Sequence, residues 1–281
     1  MSLHVVEVGP LVTVQDRGRR GHAHLGVPRA GALDTRAADL ANRVVGNDPD
    51  AAVLEVLMGG LVLRSDVGRW VAVTGASGPG RAAWLAAGAE LRVEPPATGL
   101  RSYVAVAGGI AVPPVLGSRS TDTLSWVGPP RVEAGARLPV GRPLREPPAF
   151  DVPRPPAPGP LRIVPGPRDD WFAPGALDRL CAAAYVVTAD SDRIGLRLDG
   201  PPLERVRPGE LASEGMVLGA VQVPPDGRPV VFLADHPPTG GYPVIGVVDE
   251  DDLWQCAQVR PGERVRFTRR QPDPARAAAR R

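Results

Sequence analysis

Short apolar runs broken by glycine and proline set the pattern of this chain. In its first half Leu3–Val8, Val12–Gln15, Ala52–Val56, Leu61–Leu63, Trp70–Thr74, Leu91–Val93 and Tyr103–Ala107 are rich in Val and Leu and bounded by turn residues, which predicts strands. One segment has a different period. Leu33, Ala37, Leu40, Ala41 and Val44 fall on one helical face, Asp34 can cap the start and Gly46 suits the stop. The second half repeats the style, with strands predicted at Leu161–Val164, Tyr185–Thr188, Arg193–Leu198, Val217–Val223, Val230–Leu233, Val244–Val248 and Arg264–Thr268. Short helices are predicted after Pro174 and around Asp251–Ala257. Arg131–Leu138 and Gln258–Val265 both read as strand, glycine turn, strand, a hint of two related barrels, although short hairpins resemble one another easily.

Composition adds boundaries to this pattern. Seven prolines between Arg145 and Pro160 favour polyproline II over sheet pairing and mark a linker. The chain is therefore expected to hold a first β-rich lobe over residues 1–145, a linker over 146–160, a second β-barrel lobe over 161–270 and a disordered tail over 271–281. With aromatic residues at only 4%, the cores must rest on Val, Leu and Ala. A net charge of +2 gives no general attraction to nucleic acid. Every positive side chain is arginine, because the sequence has no lysine. That excludes a lysine Schiff base, a P-loop lysine and a biotinyl-lysine on this chain. Cys181 and Cys256 lie far apart, so no disulfide framework is predicted. No apolar run approaches ~18 residues and the opening residues lack a basic start followed by a long apolar stretch, so a cytoplasmic protein is expected.

Several motifs fail on inspection. Gly75-Ala76-Ser77-Gly78-Pro79-Gly80 follows an apolar run, but it lacks the lysine of a P-loop, and Pro79 stands where a nucleophile elbow needs glycine. A dinucleotide fingerprint fares no better, since Pro79 removes an amide donor and Gly88 and Pro95 break any helix that follows. His22 and His24 lack a nearby cysteine to complete a metal set and read as surface-loop histidines. A triad of Ser213, His236 and Asp235 has nothing in its spacing to favour it.

Three constellations carry more information. Val14–Gly21, continuing through Leu25–Asp34, mixes glycines with arginines able to grip a carboxylate or phosphate by bidentate bonds. Gly117-Ser118-Arg119-Ser120-Thr121-Asp122 offers hydroxyls, a cation and exposed amides suited to an anion, with an Asx or Ser/Thr turn as the bland alternative. The third is spread over Ser191–Gly195, Ser213–Gly215, Gly219–Pro224 and Ala234–Pro243, and could converge at one barrel mouth. In chain order these segments read V-Q-D-x-G-R-x-G, L-G-V-P-x-x-G-A-L-D, G-S-R-S-T-D, S-D-R-I-G-x-R-L, S-E-G, G-x-x-Q-V-P-P-D-G and T-G-G-Y-P. This series, from about Val12 to Val265, resembles the C-subunit family of bacterial 5-oxoprolinase. The same family takes in KipA-type proteins and the second half of the urea carboxylase carboxyltransferase domain, often labelled allophanate hydrolase subunit 2.

The resemblance implies a mainly β fold of two cyclophilin-like barrels with a few short helices, working directly with the B subunit of 5-oxoprolinase and also with its A subunit. It implies ATP and Mg²⁺ as cofactors, with biotin only if the reaction is carboxyl transfer. Within the matching motifs Asp16, Arg119, Asp122, Glu214, Gln222 and Tyr242 are the implied catalytic group. Arg17, Arg19, Ser118, Arg193, Thr239, Gly240 and Gly241 are implied for substrate or phosphate. One departure stands out: many relatives are expected to carry a basic residue after T-G-G-Y-P, where this chain has Val244. Two other implied readings are a carboxyltransferase half of a urea-carboxylase-like biotin enzyme and a KipA-type regulator that binds a kinase inhibitor resembling the B subunit.

Overall fold

The computed structural model describes residues 1–78, 80–149, 157–207, 209 and 211–271. Pro79, the centre of the predicted linker (150–156) and the predicted tail from 272 onward lie outside the described residues. The chain divides into two compact units.

The first unit contains β1 (Ser2–Glu7), β2 (Leu11–Gln15), α1 (Thr35–Val44), β3 (Val53–Leu57), β4 (Leu61–Ser65), β5 (Arg69–Gly75), β6 (Ala82–Leu85), β7 (Glu90–Val93), β8 (Arg101–Val106) and β9 (Arg137–Pro139). They form two antiparallel sheets, of order β7-β4-β1-β9 and β2-β3-β8-β5-β6. Alternate residues of both sheets meet in one core, with Leu3, Val5, Leu61 and Leu63 opposing Val12, Leu54, Val56 and Val104. The other face of the larger sheet is covered by α1, whose Ala37, Ala38, Ala41 and Val44 pack on Val53, Ala72, Tyr103 and Ala105. Alanines let the helix lie close. Covered on both sides, β8 buries all six of its residues, so it reads as a continuous run instead of an alternation. Asp34 caps α1 by accepting from the Ala37 amide at 3.0 Å, and Gly46 at φ +76° follows its end.

The second unit contains β10 (Leu161–Pro165), α2 (Ala176–Ala182), β11 (Ala184–Val187), β12 (Gly195–Asp199), β13 (Glu214–Gly215), β14 (Ala220–Gln222), β15 (Val230–Phe232), β16 (Thr239–Gly240), β17 (Val244–Val248), the turn leading into α3 (Leu253–Gln258), and β18 (Arg264–Arg269). Seven strands close a barrel of order β10-β17-β14-β15-β12-β11-β18. Ile163, Tyr185, Leu196, Val221 and Val231 have at most 2% of their surface exposed and fill the interior. By strand alternation Ala220, Gln222, Val230, Phe232 and Val244 then face outward. The apolar members of that outward set form a cluster of their own with Met216 and Val247. A two-stranded ribbon, β13 with β16, stands apart from the barrel sheet.

Among the described residues the fold is mainly β with three short α-helices, as expected, and the closed barrel belongs to the second unit. Two short segments of late sequence, 234–238 and 254–260, belong to the first unit. There the amide of Ala30 donates to Ala234 O at 3.0 Å. Gln258 uses its side-chain amide like a peptide group: Oε1 accepts from the Leu100 and Arg101 amides, and Nε2 donates to Asp34 Oδ2 and Arg101 O.

Some elements differ from the pattern. β6 carries an exposed Trp84 in place of buried alternation, and β13 and β16 are two residues each, too short for any periodicity. The strand predicted at Val217–Val223 is confined to Ala220–Gln222. Neither predicted hairpin forms as read. Residues 131–136 are turn and irregular backbone ahead of β9, while Gln258 ends α3.

Candidate functional site

The first group of motif residues gathers around Asp16, which follows β2. Its Oδ1 accepts from the Gly18 amide (2.8 Å) and from the Ser118 and Ser120 hydroxyls (2.6 Å each), while Oδ2 accepts from the Arg119 amide at 2.6 Å. One carboxylate thus holds the loop Gly117–Asp122 in place. Arg19, 3% exposed, donates through Nη2 to Ser120 O and through Nε to Val115 O. Its Nη1 has no partner among the described residues. Burial pulls the Arg19 pKa below its ordinary value, opposed by the charges of Asp122, Asp16 and Asp235. Asp122 is fully buried and accepts from the Leu124 and Ser125 amides at 2.9 Å each, the geometry of an Asx turn. Burial raises its pKa, with a smaller push from Asp235, against the lowering effect of its backbone hydrogen bonds. Arg119 donates Nε to Val112 O at 2.7 Å and leaves both Nη atoms unpaired among the described residues. Arg17 is elsewhere: it is half exposed and pairs with Asp39 of α1 at 2.8 Å and with Asp50 at 2.9 Å.

Here the loop amides are taken up by Asp16, Val14, Val115, Val127 and the Ser118 hydroxyl, and Asp16 has its oxygens occupied as an organiser. Arg119, and the bare Nη1 of Arg19, are what this group retains for an anion. Asp235 contributes too. Its Oδ2 accepts from the Thr123 amide (2.9 Å) and hydroxyl (2.7 Å).

The second group gathers at the β13–β16 ribbon and at Gln222 of β14. In the β13–β16 ribbon Glu214 is opposite Gly240, and Gly215 opposite Thr239. Arg168 grips Glu214 with Nε on Oε2 at 3.1 Å and Nη2 on Oε1. This pair holds the Glu214 carboxyl below its usual range and raises the Arg168 pKa. Gln222 on β14 is 6% exposed. Its Nε2 donates to Tyr242 O at 3.2 Å and lies 3.9 Å from Met216 Sδ. Gly240 is the close neighbour: a Cβ there would sit 2.8 Å from Gln222 Nε2. The carbonyl of Gly241 accepts from the Leu211 amide at 3.1 Å. The Tyr242 hydroxyl makes no hydrogen bond among the described residues. Arg193 is 2% exposed and already engaged in polar interactions. Val244 is 5% exposed among apolar neighbours, and its carbonyl accepts from the Arg168 amide at 3.3 Å.

The structure therefore collects Asp16, Arg19, Ser118, Arg119 and Asp122 in one unit, and Glu214, Gln222, Thr239, Gly240, Gly241 and Tyr242 in the other. Arg168, Met216 and Asp235 were not among the expected site residues. The polar stretch Gly166–Asp170, directly after β10, was the available signal for Arg168. His22 and His24 have rings 6.5 Å apart, and no group of three or more metal-ligating side chains occurs among the described residues.

A two-sheet unit with one helix on its larger sheet, a closed seven-stranded barrel and these two polar loop clusters define a class. The chain belongs to the carboxyltransferase domain family, subdomain A and B, which matches residues 25–269. It is 38% identical to the 5-oxoprolinase C subunit of Escherichia coli (strain K12), over 94% of this chain and 90% of that protein. The crystal structure of TTHA0988 superposes with a TM-score of 0.85 at 40% identity, covering 95% of this chain and 56% of that one. Urea carboxylase of Kluyveromyces lactis gives a TM-score of 0.87 at 28% identity, over 95% of this chain and 27% of that one. The chain thus spans about half and about a quarter of those two solved chains. No helix among the described residues is long and apolar enough to cross a membrane.

Proposed function

We propose that this chain is the C subunit of a heteromeric, ATP-dependent 5-oxoprolinase, acting in the cytoplasm with the A and B subunits to open 5-oxoproline to glutamate. The observation that carries this reading is the match to the E. coli protein along nearly the full length of both chains.

The chemistry explains the need for ATP. An unstrained five-membered lactam is a stable amide, and phosphorylation of its carbonyl oxygen turns that oxygen into a leaving group. Such a site needs cations for the substrate carboxylate and the transferring phosphoryl group. Each unit by itself offers a guanidinium suited to an anion of this kind: Arg119 in the first, with two free Nη atoms among the described residues, and Arg168 in the second, partly exposed beside Glu214. Asp16 acts one step back, fixing the loop that carries Arg119. The carboxylates of Asp16 and Asp122 already accept hydrogen bonds from the protein. They do not fit a metal cage for Mg²⁺ on this chain. Magnesium is commonly held largely by substrate phosphates, and in this reading it arrives with the nucleotide.

A second reading has support from the urea carboxylase match. The chain would then form half of a carboxyltransferase, and biotin would have to come on another chain because this one has no lysine. One assay separates the two. The chain mixed with its cognate A and B partners should hydrolyse ATP only when 5-oxoproline is present, and the chain alone should be inactive. Activity that instead needs a biotin carboxylase, urea and bicarbonate would overturn the oxoprolinase reading in favour of carboxyl transfer.

A further inference from the structure

We infer that two neighbouring turns of the first unit, 115–118 and 122–127, form a docking surface for a partner protein that presents an apolar pocket edged by carboxylates. This rests on the heteromeric reading above and assigns a contact surface to it. The first turn is a two-residue hairpin. Val115 and Ser118 exchange amide–carbonyl hydrogen bonds (2.8 and 3.2 Å) around Leu116-Gly117, whose φ angles are +50° and +79°. Asn-Gly is the favoured pair for such a turn, yet the first place holds leucine. In the second turn the Asp122 carboxylate accepts from the Leu124 and Ser125 amides, the Asp122 amide donates to Val127 O, and Trp126 stands at φ +56°. Turn tips are ordinarily polar or glycine. Here Val115, Leu116, Leu124 and Trp126 are 38–55% exposed, and two of them hold a backbone conformation that favours glycine. Solvated leucine and tryptophan at strained positions fit a partner that buries them. The turns are also firmly mounted. Buried Arg19 donates to Val115 O and to Ser120 O, and Asp16 binds the Ser118 and Ser120 hydroxyls and the Arg119 amide. Anchors held in this way lose little freedom on binding, and tryptophan is prominent among residues that carry interface energy.

Charge selects the occupant. Residues 17–33 and 112–131 contain a single carboxylate, that of buried Asp122. Arg119, between the two turns, keeps both Nη atoms unpaired among the described residues, and exposed Arg20 has no partner there. A second copy would bring like charges together with no carboxylate to separate them. Two such cations fall short of the basic clusters that bind anionic lipid. A protein surface with apolar and acidic side chains meets both the tips and the arginines.

The test measures association of the full chain with its cognate A and B partners, separately and together, by titration calorimetry. The double variant Leu116→Gly, Trp126→Gly removes both anchors while giving each position the residue its backbone favours, so its melting temperature should hold or rise. Its Kd for the partner should rise about tenfold or more, the effect of losing a tryptophan hot spot. Arg119→Glu should weaken association as well, and added salt should weaken that of the wild type. If the wild type binds a partner and the double variant binds it equally well, the turns are not the docking surface, while the heteromeric reading stands. If the wild type binds neither partner alone nor both together, that reading and this surface fail at once. Loss in the double variant of binding to anionic phospholipid vesicles, or of self-association, with partner binding intact, would overturn the assignment in favour of a lipid surface or a second copy.

Discussion

At the scale of single residues, Asp16 and Glu214 look alike in sequence and do different work. Asp16 accepts four hydrogen bonds from one loop and its own turn, so Asp16→Ala should leave buried donors without acceptors. A loss on the order of 3 kcal/mol is expected in urea unfolding of the chain, with far less for Arg17→Ala, whose ion pairs are exposed. Glu214 is a charge partner instead. Arg168 depresses its pKa below the ordinary 4.5, so whatever stability the pair gives is fully present above that value. It is lost as the pH falls through the depressed pKa. Arg168→Met should return the Glu214 titration, followed by carboxyl NMR, towards 4.5. An unchanged midpoint would mean that the pair does not control the carboxyl. Such distinctions were not legible in the motifs, which identify residue types but not which oxygens are already occupied.

At the scale of elements, α1 and the β13–β16 ribbon mark the two ends of what sequence pattern can say. The helix was readable because Leu33, Ala37, Leu40, Ala41 and Val44 keep a helical period and Asp34 can cap it. The ribbon was not, since two-residue strands have no period, although its T-G-G-Y stretch stood out chemically. Asp34 has a further role that no local pattern reveals: Gln258, far along the chain, donates to its Oδ2. Asp34→Ala therefore removes both a cap and the acceptor for a buried amide. A loss of about 1–2 kcal/mol is expected, in the upper part of the range for caps, measured by thermal or urea unfolding. In the ribbon, Gly240→Ala would press a methyl group to 2.8 Å from Gln222 Nε2. Activity of the complex should fall at least tenfold while the melting temperature of the chain changes little. Full activity in that variant would show that the contact between Gly240 and Gln222 lies outside the working site.

At the scale of the whole molecule, the β-rich character and most strand positions followed from apolar runs between glycines and prolines. The assignment of chain to unit did not follow, because 234–238 and 254–260 join the first unit through contacts of long sequence separation. Nor did the outward placement of Gln222 and Val244, which depends on barrel closure and on which alternate face fills the interior. Val244 stands where many relatives are expected to be basic; its carbonyl accepts from the Arg168 amide, while the Arg168 guanidinium is engaged by Glu214. Whether this chain completes a lactam-opening enzyme is decided by the glutamate formed from 5-oxoproline and ATP by the cognate A and B partners, with and without the full-length chain. Glutamate should form only when the chain is added, in step with ADP. Equal glutamate formation without it, or none when all three proteins are present, would show that the chain has no such role.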